Sequence, residues 1–196
     1  MRAFLTAVIC LVACVATGHS LQCVTCYSFK EKDCSGKAKK CNDYETVCRT
    51  SVTQSIDNGV TTYQVYKGCG EVEEKDSIYR EESKNSFHQV EVKHCNTDRC
   101  NEKPMPLTPR DYTPNGVICK DCYKNHTLDC ETEETVECTG ELNKCLFLAG
   151  QLCTDEDSWF DCAYRHCTDV QEVEMHPYYS ALPNEIVQKL EITERL

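Results

Sequence analysis

Cysteine spacing constrains this chain more than any other feature, because one pattern is written twice. Cys23, Cys26, Cys34, Cys41, Cys48, Cys69, Cys95 and Cys100 are answered in order by Cys119, Cys122, Cys130, Cys138, Cys145, Cys153, Cys162 and Cys167. The offset is 96 residues for the first three pairs and 97 for the next two, then 84 for the sixth and 67 for the last two. Taken in order, the pattern describes two tandem disulfide-stapled modules. The second has lost 13 residues from one loop and 17 from the next. Such an unequal duplication leaves function in the copy whose loops survive.

The N-terminus sets the compartment. Arg2 precedes an apolar run, Phe4 to Ala16, that is too short to span a bilayer, and small residues at Gly18 and Ser20 suit a signal peptidase. Residues 1–20 are therefore read as a signal peptide. The charged stretch from Glu185 to Leu196 has no apolar tail of the kind a glycolipid anchor uses, so the expected product is secreted and has no membrane anchor. Cys10 and Cys14 leave with the signal, and the sixteen remaining cysteines, an even number in an oxidising compartment, imply a disulfide framework. Structural zinc at Cys23-x-x-Cys26 or Cys119-x-x-Cys122 would need further ligands at regular spacing, and no His recurs between the copies. No metal or cofactor is expected. Neither motif sits between an apolar strand and a helical pattern, as a thioredoxin-like pair would.

Formal charge is −11, and −12 once Arg2 is removed. Acidic runs at Glu71–Asp76, Glu131–Glu137 and Asp155–Asp157 make solvated surface, or else attract a basic partner or divalent ions. Nucleic acid and anionic membranes need the opposite sign. Apolar positions are sparse in modules this small, so the staples carry much of the stability, each native disulfide being worth about 2–5 kcal/mol.

The first module runs over 21–102. Ser51–Ile56 and Val60–Tyr66 are rich in β-branched and aromatic residues and flank Asp57-Asn58-Gly59, which predicts a long hairpin. Phe87–Lys93 alternates like a strand, with a partner expected around Ser77 to Arg80. Pro104, Pro106, Pro109 and Pro114 mark residues 103–114 as a stiff, extended linker. The second module, 115–168, has room between Cys145 and Cys153 for no more than a stub of a hairpin at Ala149-Gly150. The tail, 169–196, reads either as a helix capped at Asn184 with Ile186, Leu190 and Ile192 on one face, or as a disordered segment. Asn125-His126-Thr127 is a glycosylation acceptor.

Leu21-Gln22-Cys23-x-x-Cys26 at the mature N-terminus and Cys95-Asn-Thr-Asp-Arg-Cys100-Asn101 at the module's end resemble the three-finger domains of the urokinase-receptor and lymphocyte-antigen superfamily. The resemblance implies a small, disulfide-rich, all-β fold of tandem three-finger modules, the second with shortened fingers. It implies that Asn101 hydrogen-bonds across the knot, and it implies the pairs Cys23–Cys48, Cys26–Cys34, Cys41–Cys69 and Cys95–Cys100. The further pair frequent in the family is missing as a unit, since His94 stands at one of its positions and no cysteine lies between Cys69 and Cys95. By analogy the second module would pair Cys119–Cys145, Cys122–Cys130, Cys138–Cys153 and Cys162–Cys167, although Thr168 replaces the asparagine. Pro114-Asn115-Gly116, the first eight residues and the cysteine-free tail are similar to amphibian sodefrin precursor-like factors, which are courtship pheromones. The first of these motifs is shared with the gamma-type phospholipase inhibitors of snake plasma.

The scaffold suits binding, because variable loops ride on a covalent knot. The first candidate surface is the hairpin tip, Ile56, Asp57, Asn58, Gly59 and Val60, which equally reads as a plain turn. Trp159 and Phe160 form the second, which equally reads as a plug over a small core. Tyr63, Val65 and Tyr66 read as sheet packing. The histidines fall in unrelated contexts with no nucleophile signature, which argues against an enzyme. The expected functions, in order, are a pheromone binding a protein receptor on chemosensory cells, an inhibitor covering a secreted phospholipase, and a precursor releasing a tail peptide by cleavage at Lys189 or Arg195.

Overall fold

The computed structural model describes residues 20–71, 75–155, 158–170 and 186–194. The signal segment through residue 19, with Cys10 and Cys14, lies outside these residues, as do His176, Asn184 and Arg195.

Every described element is a strand. The first module contributes β1 (Gln22–Ser28), β2 (Lys37–Lys40), β3 (Val47–Asp57), β4 (Val60–Gly70), β5 (Ser77–Glu82) and β6 (Ser86–Cys95). The second contributes β7 (Pro114–Lys120), β8 (Cys122–Asn125), β9 (Thr135–Thr139), β10 (Lys144–Thr154), β11 (Trp159–Thr168) and β12 (Ile186–Thr193). The main sheet runs β12-β10-β11-β5-β6-β3-β4-β1-β2, with β8 also on β11, while β7 and β9 pair separately. The modules thus share one sheet, joined where Cys167 and Thr168 of β11 face Glu82 and Glu81 of β5.

The central finger forms as its sequence dictates. Asp57 pairs with Val60, and Asn58 and Gly59 turn the chain with φ of 49° and 81°. Two consecutive positive φ values suit the right-handed twist of a hairpin, and Asn-Gly tolerates them. The strand expected over Phe87–Lys93 is β6, and its partner is β5.

The first module's bonds are Cys23–Cys48, Cys26–Cys34, Cys41–Cys69 and Cys95–Cys100. In the second module Cys119 joins Cys145 and Cys122 joins Cys130. The expected Cys138–Cys153 and Cys162–Cys167 pairs are corrected, because Cys138 bonds Cys167 and Cys153 bonds Cys162. The reason is geometric. Cys162 and Cys167 both lie on β11, and five residues of extended chain span about 16 Å, far beyond the ~7 Å reach of a disulfide. Cys153 sits near the far end of β10, remote from the knot.

This connectivity changes the alignment of the modules. Cys145 faces Cys167 in register as Cys48 faces Cys69, so Cys167, rather than Cys153, is the counterpart of Cys69. The offset then runs 96, 96, 96, 97, 97 and 98 through the knot, without deletions. Nor is the second central finger a stub. At 11 and 10 residues, β10 and β11 match the 11 and 11 of β3 and β4, and Cys153–Cys162 is an extra staple across the finger.

The reading of the tail is corrected over 186–193. β12 is neither helical nor unattached, because it pairs antiparallel with β10 in the place that β6 takes beside β3. Cys145 faces Thr193 as Cys48 faces Cys95, so a threonine stands where the first module has a cysteine. Ile192 and Leu190 face Leu146 and Leu148 across the ladder, which is the alternation of a half-buried strand.

Two layers close on the first module's sheet. On one face Tyr79, Val90 and Val92 bury against Leu146, Leu148 and Val170, with Leu190 and Ile192 packed beside them. On the other face Val52 and Val65 pack against Met105 and Leu107 of the linker. The linker is extended, as its prolines predict, but it is strapped down. Lys67 of β4, fully buried, donates to the carbonyls of Glu102 and Lys103 at 3.1 and 3.2 Å and pairs with Asp33 at 2.6 Å. Further along, Thr108 N donates to Glu91 Oε2 at 2.8 Å, and Gln89 Nε2 donates to the Thr108 carbonyl at 3.0 Å.

Candidate binding surfaces

The tip of the central finger is the first surface expected from the sequence, and the fold divides it. Asp57, Asn58, Gly59 and Val60 are exposed, whereas Ile56 is half-buried against Phe87 and the second module's knot. Asn58 N donates to the Asn85 carbonyl at 2.9 Å, tying the second fingertip to the third. Asp57 lines an inter-module groove of about 520 Å³ together with Glu81, Asp121, Tyr123, Tyr164 and His166. His166 Nε2 lies 3.2 Å from Glu81 Oε1, and its ring stacks on Tyr164.

Trp159 and Phe160 occupy the far end of the second central finger, beside its turn. Both are half-buried, and the Phe160 ring lies 4.5 Å from His126 while its backbone faces Cys153. Cys153–Cys162 pins the strands just behind them. These contacts stay within the second module, so the pair and the first module's tip form separate surfaces. Asn125 ends β8 and is exposed. Lys189 lies within β12, opposite Ala149, so cleavage there would cut a paired strand.

A third surface is assembled by the fold. Tyr27 faces Tyr66 across the β1–β4 ladder, on the sheet face that the second module covers only over β5 and β6. Tyr27, Phe29 and Tyr66 are 49%, 65% and 40% exposed. Tyr27 packs edge-on to Phe29 at 4.2 Å, and its hydroxyl donates to Gln64 Oε1 at 3.4 Å. A Cβ on Gly68 would collide with the Tyr66 hydroxyl, so glycine there lets the ring lie back on its strand. The signal is present in the alternation of Cys26-Tyr27-Ser28-Phe29, which puts both aromatics opposite the stapled cysteine. Tyr66 reads as sheet packing in the sequence, and the open half of the sheet leaves its ring at the surface.

Several buried titratable groups are engaged structurally. Ser55 Oγ lies 2.9 Å from His88 Nδ1, and burial lowers the His88 pKa and keeps the ring neutral. Burial pulls Glu91 upward, but the Thr108 amide and Lys93 outweigh it and hold the carboxylate below its usual range. Burial raises Asp169 to about 6 against the counter-pull of Arg80, whose Nη1 is 3.1 Å away. Asn101 spans the first knot, accepting from Val24 N at 2.9 Å and donating to the Val24 carbonyl at 2.9 Å and the Arg49 carbonyl at 3.4 Å. The cysteine triplets close enough to hold a metal are all disulfide-bonded, and bonded sulfurs offer no thiolate.

Residues 19–103 match the family model of the u-PAR/Ly-6 domain. Among curated proteins the chain is similar to the phospholipase A2 inhibitor NAI of Notechis ater, 29% identical over 140 residues, 70% of this chain and 69% of that protein. It is also similar to a gamma-type phospholipase A2 inhibitor of Laticauda semifasciata, 28% identical over 134 residues, 67% of this chain and 73% of the relative. The urokinase plasminogen activator surface receptor of Bos taurus is 26% identical over 144 residues, 70% of this chain but 42% of the receptor. These likenesses run past the first module, while the family match stops at its end. The u-PAR/Ly-6 domain match over residues 19–103 thus sits within a disulfide-rich, all-β, three-finger-type fold in tandem arrangement.

Proposed function

We propose that this protein is a secreted, non-enzymatic ligand that docks on another protein through the open aromatic half-face of its first module. The observation that carries the reading is the cluster of Tyr27, Phe29 and Tyr66, exposed on a rigid stapled sheet whose other half is covered. Tyrosine and phenylalanine give large contact area at little conformational cost, and such rings dominate protein interfaces. The named inhibitors among its relatives favour a secreted phospholipase A2 as the partner class. The second module's central finger is about as long as the first's, which leaves a second full finger for covering such an enzyme. The net charge of −11 adds attraction to a basic enzyme.

The second reading is a courtship pheromone recognised by a receptor on chemosensory cells. The first eight residues and the cysteine-free tail favour it through their similarity to sodefrin precursor-like factors. Release of a tail peptide is the weakest reading, since Lys189 lies within a paired strand.

Two assays run side by side test the proposal. The mature protein and its Tyr27→Ser/Phe29→Ser/Tyr66→Ser variant are assayed for inhibition of secreted phospholipases A2 on mixed micelles, and for calcium responses in dissociated chemosensory neurons. Activity of the native protein in either assay, lost in the variant with an unchanged disulfide map, supports the aromatic docking face. The two assays separate the partner classes. Activity retained in the variant would refute the face, and silence of the native protein in both assays would refute the function.

A further inference from the structure

The strap makes a second site possible. Its ends are fixed by Lys67 below residues 102–103 and by Glu91 and Gln89 at Thr108. Between these anchors Pro104-Met105-Pro106-Leu107 arches over the face of the central finger opposite the aromatic patch. The space beside the arch is about 870 Å³, lined by Ile56, Tyr63, Met105 and Leu107, with prolines along its edge and buried Val52 at its floor. That lies within the range of roughly 300–1,000 Å³ of sites that enclose small molecules. The thioether of Met105 adds an adaptable wall.

Charge selects the occupant. In a chain with 32 acidic residues, the lining includes Lys32, Lys103 and Arg110 and no carboxylate. Arg110 is already committed, with Nη2 2.6 Å from Glu82 and its guanidinium between the rings of Phe87 and Tyr112 at 4.4 and 4.5 Å. Lys32 stands 5.0 Å from the Tyr63 ring centre, and Lys103 is exposed at the strap's start. Two lysines at the mouth of an apolar trough match a molecule with one anionic head and one hydrocarbon chain.

We propose that the strap and the inner face of the central finger form a binding site for a single-chain anionic amphiphile, a fatty acid or an anionic lysolipid. The chain lies along Ile56, Tyr63, Met105 and Leu107, and the head meets Lys32 and Lys103. The site is on the sheet face opposite the aromatic patch and does not depend on which protein partner is bound.

Calorimetry of the mature, disulfide-intact protein tests this with decanoate, decyl phosphate and decyltrimethylammonium, each below its micellar concentration, and with decanol below its solubility limit. Saturable one-to-one binding of decanoate or decyl phosphate is expected, with decanol about tenfold weaker or more, a factor equal to 1.4 kcal/mol, and with no binding of the ammonium. The stronger of the two anions identifies a carboxylate or a phosphate head. Lys32→Glu/Lys103→Glu should weaken anion binding about tenfold or more, and Leu107→Trp, which fills the trough, should weaken decanol as well. Equal affinity for all four probes, no saturable heat, or anion binding unchanged in the lysine variant would overturn the proposal.

Discussion

The two modules share one knot and secure their edges differently. In the first, Cys95–Cys100 closes the loop after the third finger, and Asn101 reaches back to Val24 and Arg49. In the second, Thr193 stands where Cys95 would be, and the additional disulfide lies across the central finger at Cys153–Cys162. β12 is then held by its ladder and by Leu190 and Ile192 against the neighbouring module. A third strand can thus be secured covalently or by a neighbour's apolar surface, and the second solution makes one module depend on the other.

Breaking the shared knot should have the largest effect. Cys138→Ser/Cys167→Ser should lower stability by about 2–5 kcal/mol, more than Cys153→Ser/Cys162→Ser. The bonds close loops with sequence separations of 29 and 9, and loop-closure entropy alone favours the longer by about 1 kcal/mol. Denaturant melts measure the ranking, and non-reducing peptide maps should recover Cys138–Cys167. Recovery of Cys138–Cys153 instead would undo the equivalence of the modules.

Next comes the apolar interface. Leu148 is fully buried between the modules, so Leu148→Ala should cost about 2–5 kcal/mol and raise hydrogen exchange in β12 and in β5–β6 together. Protection lost from β12 alone would mean that the modules are independent. Asn101→Ala leaves buried Val24 N–H and C=O groups unpaired and should cost about 1–3 kcal/mol, with the exchange confined to the first knot.

The junction between the modules also responds to pH, through Asp169. Its pKa rises from 3.8 to about 6 in the fold, chiefly by burial. Between those values the native state holds more protons than the unfolded chain. The group's contribution is therefore fully present below the unfolded pKa and is lost as pH rises through about 6. Asp169→Asn should flatten that decline in melts taken between about pH 4 and 7. The smallest effect belongs to Lys84→Ala. Its 2.9 Å pair with Glu134 crosses between modules, but both ends are exposed, and melts of variant and parent should coincide.

The first module is legible in the sequence because its signals are local. Asn58-Gly59 dictates a turn by its own dihedral preferences, and alternation in Phe87–Lys93 marks a strand whatever lies around it. The second module misleads because matching its cysteines by order fails. Order is a sound guide only when none has been gained or lost, and here one pair was gained inside a finger while the terminal pair has no counterpart among the described residues. Register, a property of paired strands rather than of either strand alone, is needed to see that Cys167 answers Cys69. Likewise Ile186, Leu190 and Ile192 fit helical spacing loosely, and the exposed apolar edge of β10 decides the outcome. The exposure of Tyr66 and the covering of Ile56 depend on where the second module lands, which no local pattern records.

Lys67 bears on how such a gene can be recombined. Its ammonium is buried in the first module, yet two of its three oxygen partners are carbonyls of residues 102 and 103, beyond the last cysteine of that module. A crossover placed just after Cys100 would pass on every staple and still leave a buried cation without those partners. Shuffling of second modules is therefore expected to succeed only at breakpoints that keep the first residues of the strap with the module they close.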